Sequence, residues 1–407
     1  MELLEKIRRQ FDSAPYPKTP LDKPPQDDPY LLYTHNLVTA HYLRDRRVIN
    51  PQGKSILDVG CGTGYTSLVL AAANPGTNVV GVDISPVSIE LARQRAAHHG
   101  YQVEFQVLGI SELAQLGQSF DYINCDEVLY LLPDPGLALK TMTDVLQPDG
   151  IIRANLHSLY QRFEFFLAQE FFRLVGVEEV DTVRSTMTAL KDSATTKVRT
   201  WLPSYDDEGI TCNYLLTGDQ GHTIRNLAAL LQQSNLELIS MVNWRQWQLE
   251  SLFSEPDNLP LFLAIAISEM TLLQQLEMFE LINPIHRLLD FWCSVRPAQI
   301  GWQPNWAELT VHLHPQLVTP EAQEAAATTS RRAEPFLISW YLPLSGTPNP
   351  VDSKLTSALL PLWSGPQTFT RLADHWQKLY PDIPIQILQD GLVELDSLGY
   401  ILLDNHD

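Results

Sequence analysis

Leu57-Asp58-Val59-Gly60-Cys61-Gly62-Thr63-Gly64 (LDVGCGTG) is the most informative stretch of the chain. Apolar residues lead from Ser55 into Asp58, and glycines then fall at 60, 62 and 64. A glycine-rich turn after a parallel strand lets a ligand approach the backbone closely, and the N-terminus of the next helix supplies N–H donors. The spacing departs from the dinucleotide pattern GxGxxG: the third glycine comes one residue early, and Tyr65 stands where it would fall. Three close glycines after an acid suit a ligand with no pyrophosphate. A carboxylate at Asp58 repels phosphate but accepts hydrogen bonds from an ammonium group.

Outward from this turn the chain alternates strand and helix. SILDVG reads as a strand and Tyr65 to Ala73 as a helix; NVVGVD is a strand, followed by a helix from Val87 to His98. Val103 to Leu108 and Phe120 to Cys125 are strands, Leu137 to Leu146 a helix, and Ile151 to Leu156 a strand. Pro75-Gly76 and Pro148-Asp149-Gly150 punctuate them. Short connections in a βαβ rhythm predict an α/β fold with a doubly wound, Rossmann-like parallel sheet. The rhythm breaks over 158–218, which reads as an insertion, and resumes with a helix over Thr223–Gln233 and a strand over Leu236–Val242.

Three regions follow. Residues 1–52 are an N-terminal cap, with a helix to about residue 12, the proline-rich run APYPKTPLDKPPQDDPY, and a helix from Leu31 to Val48. Residues 53–245 are the core with its insertion. Residues 246–407 read as a mostly helical accessory region: Leu259 to Phe279, Pro284 to Cys293, then helix, helix, helix, strand from about Asp352. That last order resembles a small winged-helix unit.

Composition narrows the partners. The 407 residues hold 28 Lys plus Arg against 48 Asp plus Glu, a net charge of −20, which disfavours nucleic acid and anionic membrane surfaces. The best apolar run, Leu261 to Ile267, is far shorter than a membrane span of ~20 residues. Cys61, Cys125, Cys212 and Cys293 show no CxxC spacing, so the expectation is a reducing, cytoplasmic setting without a zinc site.

The string LDVGCGTG resembles the first motif of class I S-adenosylmethionine-dependent methyltransferases, (L/V)DxGxGxG. The resemblance implies that Asp58, Gly60, Cys61, Gly62 and Gly64 hold the methionine and ribose part of the cofactor S-adenosyl-L-methionine. Asp83, 19 residues after Gly64, would accept from the ribose hydroxyls, and Ile84 would pack on adenine. Gly109-Ile110-Ser111 stands where many members carry an acid for the adenine amino group, so backbone groups or Ser111 must substitute. Phe120 to Pro135 (FDYINCDEVLYLLPDP) resembles the fourth motif, which puts Asp126 and Glu127 beside the cofactor. A histidine frequent in that motif is Leu131 here. LQPDGIIRANLHS resembles the turn and strand closing the core, with His157 at its outgoing end. Asp126, Glu127 and His157 are therefore the candidate catalytic groups, and Asp126 is also a candidate cofactor contact. Tyr30, Tyr33, His35, Tyr130 and His157 are candidate acceptor contacts, the first three as part of an N-terminal lid. Asp126, Glu127 and Asn155 resemble the metal trio of catechol-type methyltransferases, but the spacing does not match, and no metal is expected.

The resemblance covers about a third of the chain. The remaining bulk favours a macromolecular and, given the charge, a protein acceptor. The layout, with its Pro15-Tyr16-Pro17 segment, is also similar to cyanobacterial enzymes that N-methylate a side-chain asparagine amide of phycobiliprotein β subunits. The alternative is a small-molecule O-, N- or C-methyltransferase whose extra regions dimerise or gate.

Overall fold

The computed structural model describes residues 2–299, 301–344 and 347–405. Its main sheet contains β1 (Ser55–Val59), β2 (Asn78–Asp83), β3 (Val103–Val107), β4 (Phe120–Cys125), β5 (Leu146–Ser158), β6 (Gly221–His222), β7 (Glu237–Met241) and β8 (Leu288–Ser294). The order is β3-β2-β1-β4-β5-β8-β7, with β6 on the end of β5. Strands β1 to β5 pair in parallel, and β8 runs antiparallel to both β5 and β7. Leu57 and Val59 pack into one core and Ile56 into another, so the sheet is covered on both faces. Double coverage explains why its strands read as continuous apolar runs. The order reverses between β1 and β4, and it is at such a switch that open α/β sheets bind ligands.

Strand β8 corrects the sequence reading twice. Pro284 to Cys293 was expected to be helical, yet Leu288–Ser294 is a central strand. Leu289, Phe291 and Cys293 face one core while Trp292 faces the other. A short apolar run has no readable period, because it lacks the polar face that would reveal one. The core therefore reaches to about 294 and does not end at 245. Two expected long helices are also broken. Leu31–Val48 becomes Pro29–Thr34 and Leu37–Asp45, parted where Asn36 accepts from Val38 N and donates to Ala73 O. Leu259–Phe279 becomes Leu261–Glu269 and Leu272–Ile282, the second opened by a Thr271–Gln274 capping box.

Within 158–218, four helices (Phe163–Leu174, Val180–Ala189, Thr195–Thr200 and Asp207–Tyr214) enclose Phe172, Val183 and Ile210. The C-terminal unit adds β9 (Leu309–Leu313), the pair β10 (Phe336–Leu337) and β11 (Pro350–Val351), β12 (Gln367–Thr368) and β13 (Ile401–Asn405). Helices Ser353–Leu359, Phe369–Leu379 and Ile385–Leu398 then pack on a three-stranded sheet, β12-β9-β13, whose middle strand comes from upstream. This unit has its own core around Val311, Trp376, Leu392 and Tyr400, to which Tyr33 of the N-terminal cap contributes. Tyr42 donates to Asp396 and accepts from Leu403 N (2.8 Å), and Arg46 pairs with Asp396 at 3.0 Å. The N-terminal helices thus bridge the two units. Among the described residues no helix is long and apolar enough to cross a membrane.

Candidate active site

A cavity of about 670 Å³ lies at the carboxyl ends of β1, β2 and β4, within the ~300–1,000 Å³ range of small-ligand sites. Its walls are Asp58 to Gly62, Asp83-Ile84, Leu108 to Ser111, and Asp126 to Val128. Leu4, Ile7 and Phe11 of the helix Glu2–Ser13, with Tyr16-Pro17, close over it. The helix Tyr65–Ala73 begins at Gly64 (φ 80°) with no side-chain cap, so the N–H groups of its first turn are left to the loop or a ligand. Gly62 sits at φ 50°, and a Cβ there would collide with the carbonyl oxygen of Tyr16. Thr63 N donates to that carbonyl (3.1 Å) and Thr63 Oγ1 donates to Pro17 O (2.8 Å). The glycines therefore admit the proline-rich segment as well as a ligand.

Asp83 accepts from Gly62 N (3.0 Å) and Ser85 N (2.7 Å), and burial raises its carboxyl above the ordinary range. It tethers the glycine loop to β2 while remaining on the cavity wall. Asp58 is buried and accepts from Ser67 Oγ (2.6 Å) and Asn124 Nδ2 (2.8 Å). Burial pushes it to about 6. Both its oxygens already have a protein donor, so an ammonium contact must use the remaining lone pairs. Cys61, Ile84, Gly109 and Ile110 line the cavity; Gly109 N donates to Glu112 Oε2 (3.0 Å).

The opposite wall is a network of acids and cations. Arg153 donates to Asn124 Oδ1 (2.9 Å) and Asp290 Oδ2 (2.7 Å) and lies 3.3 Å from Asp126. Burial would raise Asp126, but Arg153, His35 and a bond from Asn155 outweigh it and hold the carboxyl below its usual range. Asp290 has no such surplus, and burial pushes it to about 6. Asn155 also accepts from Glu127 N (2.8 Å). Glu127 stands at φ 59°, a left-handed conformation costing ~1–3 kcal/mol that persists only where surroundings over-determine it. Its carboxylate accepts from Tyr130 OH (2.5 Å) and from both terminal nitrogens of Arg287.

His157 is buried behind this wall and does not border the cavity. Its Nδ1 is 2.6 Å from Asp219 Oδ1 and its Nε2 is 3.1 Å from Arg287 Nη1. The Tyr130 ring stacks on it at 3.6 Å. Asp126 and Glu127 thus meet the cavity directly, whereas His157 and Tyr130 reach it only through Glu127.

The lid is a different segment from the one expected. Tyr33 is buried between Trp244, His314 and Arg245, its hydroxyl accepting from Arg245 Nη2 (2.9 Å). Tyr30 donates to Asn243. His35 is fully buried, and desolvation with repulsion from Arg153 lowers it to about 3 despite Asp126. None of the three lines the cavity; Leu4, Ile7, Phe11 and Tyr16 do so instead. The first helix is amphipathic, and its apolar residues Leu4, Ile7 and Phe11 are the ones that meet the cavity. Arg287, Asp219 and Arg153 were missed because nothing local marks them; their partners lie 160, 62 and 137 residues away.

Sheet order, the glycine turn after β1 and the acid at the end of β2 define the class I methyltransferase fold. The backbone cradle and the size of the cavity fit S-adenosylmethionine. Residues 50–234 match a methyltransferase domain family. The chain is an S-adenosylmethionine-dependent methyltransferase. It is 26% identical over 310 residues to an uncharacterized protein of Synechococcus sp., covering 72% of this chain and 73% of that protein. A ubiquinone biosynthesis O-methyltransferase of Idiomarina loihiensis is 42% identical over 101 residues, 25% of this chain. The match spans only 41% of that enzyme's length. PKMT2 from Rickettsia typhi shares the fold across 96% of this chain and 77% of its own, at a TM-score of 0.64 and 19% identity. The same protein has been solved with AdoHcy, at a TM-score of 0.62.

Proposed function

We propose that the methyl acceptor is a side chain of a folded protein, received at Asp126 and Glu127. The acceptor we favour is the asparagine amide nitrogen of a phycobiliprotein β subunit. When bound, S-adenosylmethionine supplies a methyl group already activated by a sulfonium. The glycine loop and Asp83 hold and orient the cofactor, and the helix Glu2–Ser13 keeps water out. An amide nitrogen is a weak nucleophile because its lone pair is delocalised. A carboxylate that accepts the amide N–H localises that pair and takes the proton as the new N–C bond forms. Asp126, held ionised by Arg153 and Asn155, suits this role at neutral pH, with Glu127 on its flank.

The observation behind a protein acceptor is the C-terminal unit, which has a core separate from the cavity. Matches to the ubiquinone enzymes cover only 25–37% of the chain, too little to span both the core and that unit. Those same matches favour the second reading, O-, N- or C-methylation of a small molecule, with O-methylation the reaction their names carry. Incubation with methyl-labelled cofactor separates the two. Label is expected in unmethylated phycobiliprotein β subunit, at an asparagine; label found only in an added ubiquinone precursor, or only in the small-molecule fraction of a lysate, would overturn the protein reading.

A further inference from the structure

We propose that Arg287, held in place by the His157–Asp219 pair, is the positioning residue that aims Glu127 into the cavity. Four elements converge here. Glu127 follows β4, His157 lies near the end of β5, Arg287 immediately precedes β8, and Asp219 follows the insertion helices. The Asp219 carboxylate is fully buried and also accepts from Gln169 Nε2 (2.8 Å) and Arg162 Nη2 (3.4 Å). The insertion thereby fixes Asp219, which fixes His157, which fixes Arg287.

The hydrogen-bond roles are forced from both ends. A guanidinium can only donate, so the His157 Nε2 facing Arg287 Nη1 carries the bare lone pair. The ring proton then sits on Nδ1 and is donated to Asp219. Burial, together with Arg162 and against the pull of Asp219 and Glu127, keeps the imidazole neutral. The charged and titratable groups facing it are Asp219, Arg162 and His222 on the insertion side, Glu127 and Tyr130 after β4, and Arg287 before β8. Tyr130 stacks on this ring and donates to the same carboxylate, so one rigid ring pair sets two of the groups that grip Glu127. With Asn155 holding its backbone N–H, Glu127 is fixed in a left-handed conformation that nothing local would stabilise. Such over-determination of one cavity-lining carboxylate is what a positioned functional group requires. The role of Glu127 towards an acceptor rests on the reading under Proposed function; the proton placement and the grip of Arg287 do not.

The test uses the full chain with S-adenosylhomocysteine bound. Nitrogen NMR of the imidazole should show wild-type His157 neutral and protonated at Nδ1, and the Arg287 guanidinium should rotate slowly. In Asp219→Asn the side-chain amide donates to Nδ1, so the ring proton moves to Nε2 and confronts a donor. Arg287 should then rotate freely. Affinity for S-adenosylhomocysteine should stay within about threefold of wild type, and transfer to the β-subunit acceptor should fall at least ~10-fold, since misplacement by ~1 Å costs up to ~100-fold. Asp219→Glu, which keeps the carboxylate, should restore the Nδ1 proton and part of the rate. Arg287→Met avoids any folding defect from altering a buried acid, because Arg287 is 46% exposed; it should lower transfer equally and leave His157 protonated at Nδ1. A wild-type ring protonated at Nε2, an Asp219→Asn ring unchanged in tautomer, or full transfer by Arg287→Met would each overturn the proposal. If wild type labels no β subunit, the acceptor reading fails, and the NMR outcomes alone decide this one.

Discussion

The two walls of the cavity are held by different means. On the β1–β2 side Asp83 takes both its donors from backbone within 21 residues. Asp58 accepts from Ser67 on the next helix and from Asn124 on the neighbouring strand. On the β4–β5 side the ion pairs cross the molecule: Arg153 to Asp290, Arg287 to Glu127, and His157 to Asp219. The first wall therefore stands as soon as β1, β2 and β4 pair. The second requires β8 and the insertion to be in place. A cofactor grip that forms locally and an acceptor side that depends on distant elements can be damaged independently.

The largest effect should come from the local wall. Gly62→Val puts a branched side chain at φ 50° against the Tyr16 carbonyl, at ~1–3 kcal/mol of backbone strain and a similar cost for overpacking. We expect calorimetry to detect no S-adenosylhomocysteine binding while circular dichroism retains the fold. Normal affinity would mean that the loop does not grip the cofactor. Asp83→Ala comes next. It removes charge-assisted contacts worth ~1.5–3 kcal/mol each and also frees the Gly62 and Ser85 N–H groups. Affinity should fall at least ~10-fold; an unchanged value would show that the local wall needs no acid at the end of β2.

This contrast also explains what could be read in advance. LDVGCGTG and Asp83 are legible because backbone geometry and a short strand–turn–helix unit dictate both their residue types and their spacing. Asp126 and Glu127 were legible because the end of β4 lands at the same sheet edge. His157 was found, but as a direct participant; its real neighbours, Asp219 and Arg287, carry no local pattern. Strand β8 reads as a helix in the sequence for the same reason: LLDFWCS (Leu288–Ser294) packs into cores on both faces, and only the assembled sheet shows which residue points where. The sequence points to Tyr30, Tyr33 and His35 as a lid because a helix before the first strand commonly covers the cofactor mouth in the fold it resembles, whereas Tyr30 and Tyr33 pack at the junction with the C-terminal unit.

A smaller effect tests the wall assembled from distant parts. Glu280, on the helix Leu272–Ile282, accepts from Ile224 N at 2.9 Å, and burial pushes it from 4.5 to about 7. The native state therefore binds a proton that the unfolded chain releases. The resulting stability is complete below pH ~4.5 and is lost as pH rises through about 7. Glu280→Gln keeps an acceptor for Ile224 without the charge. It should stabilise the protein by ~1–3 kcal/mol at pH 8 and by nothing below pH ~4.5. Denaturant titrations at the two pH values decide it, and an equal effect at both would mean that folding does not raise the carboxyl's affinity for its proton.

The smallest expected change in stability, and the sharpest separation of the two functions, concerns the C-terminal unit. Removing everything after about Ser254 would delete β8 from between β5 and β7, so such a cut tests the core and not the unit. A cut near Gln299 spares the sheet but bares Tyr33, Val38 and Tyr42, which pack against that unit. Charge reversals avoid both faults. On the helix Ile385–Leu398, Leu388, Leu392 and Leu395 face inward while Asp390 and Glu394 are exposed. Asp390 gives up only a bond from Gln386 Nε2 (2.7 Å). Asp390→Lys with Glu394→Lys should alter stability by no more than ~0.5 kcal/mol and leave S-adenosylhomocysteine affinity at the wild-type value, because neither residue borders the cavity. If this acidic face presents a protein acceptor, transfer should fall several-fold through KM, with kcat little changed, and the loss should shrink as added salt screens the charges. Transfer at the full rate at low salt would remove this helix face from acceptor binding and return the search to the insertion side of the cavity.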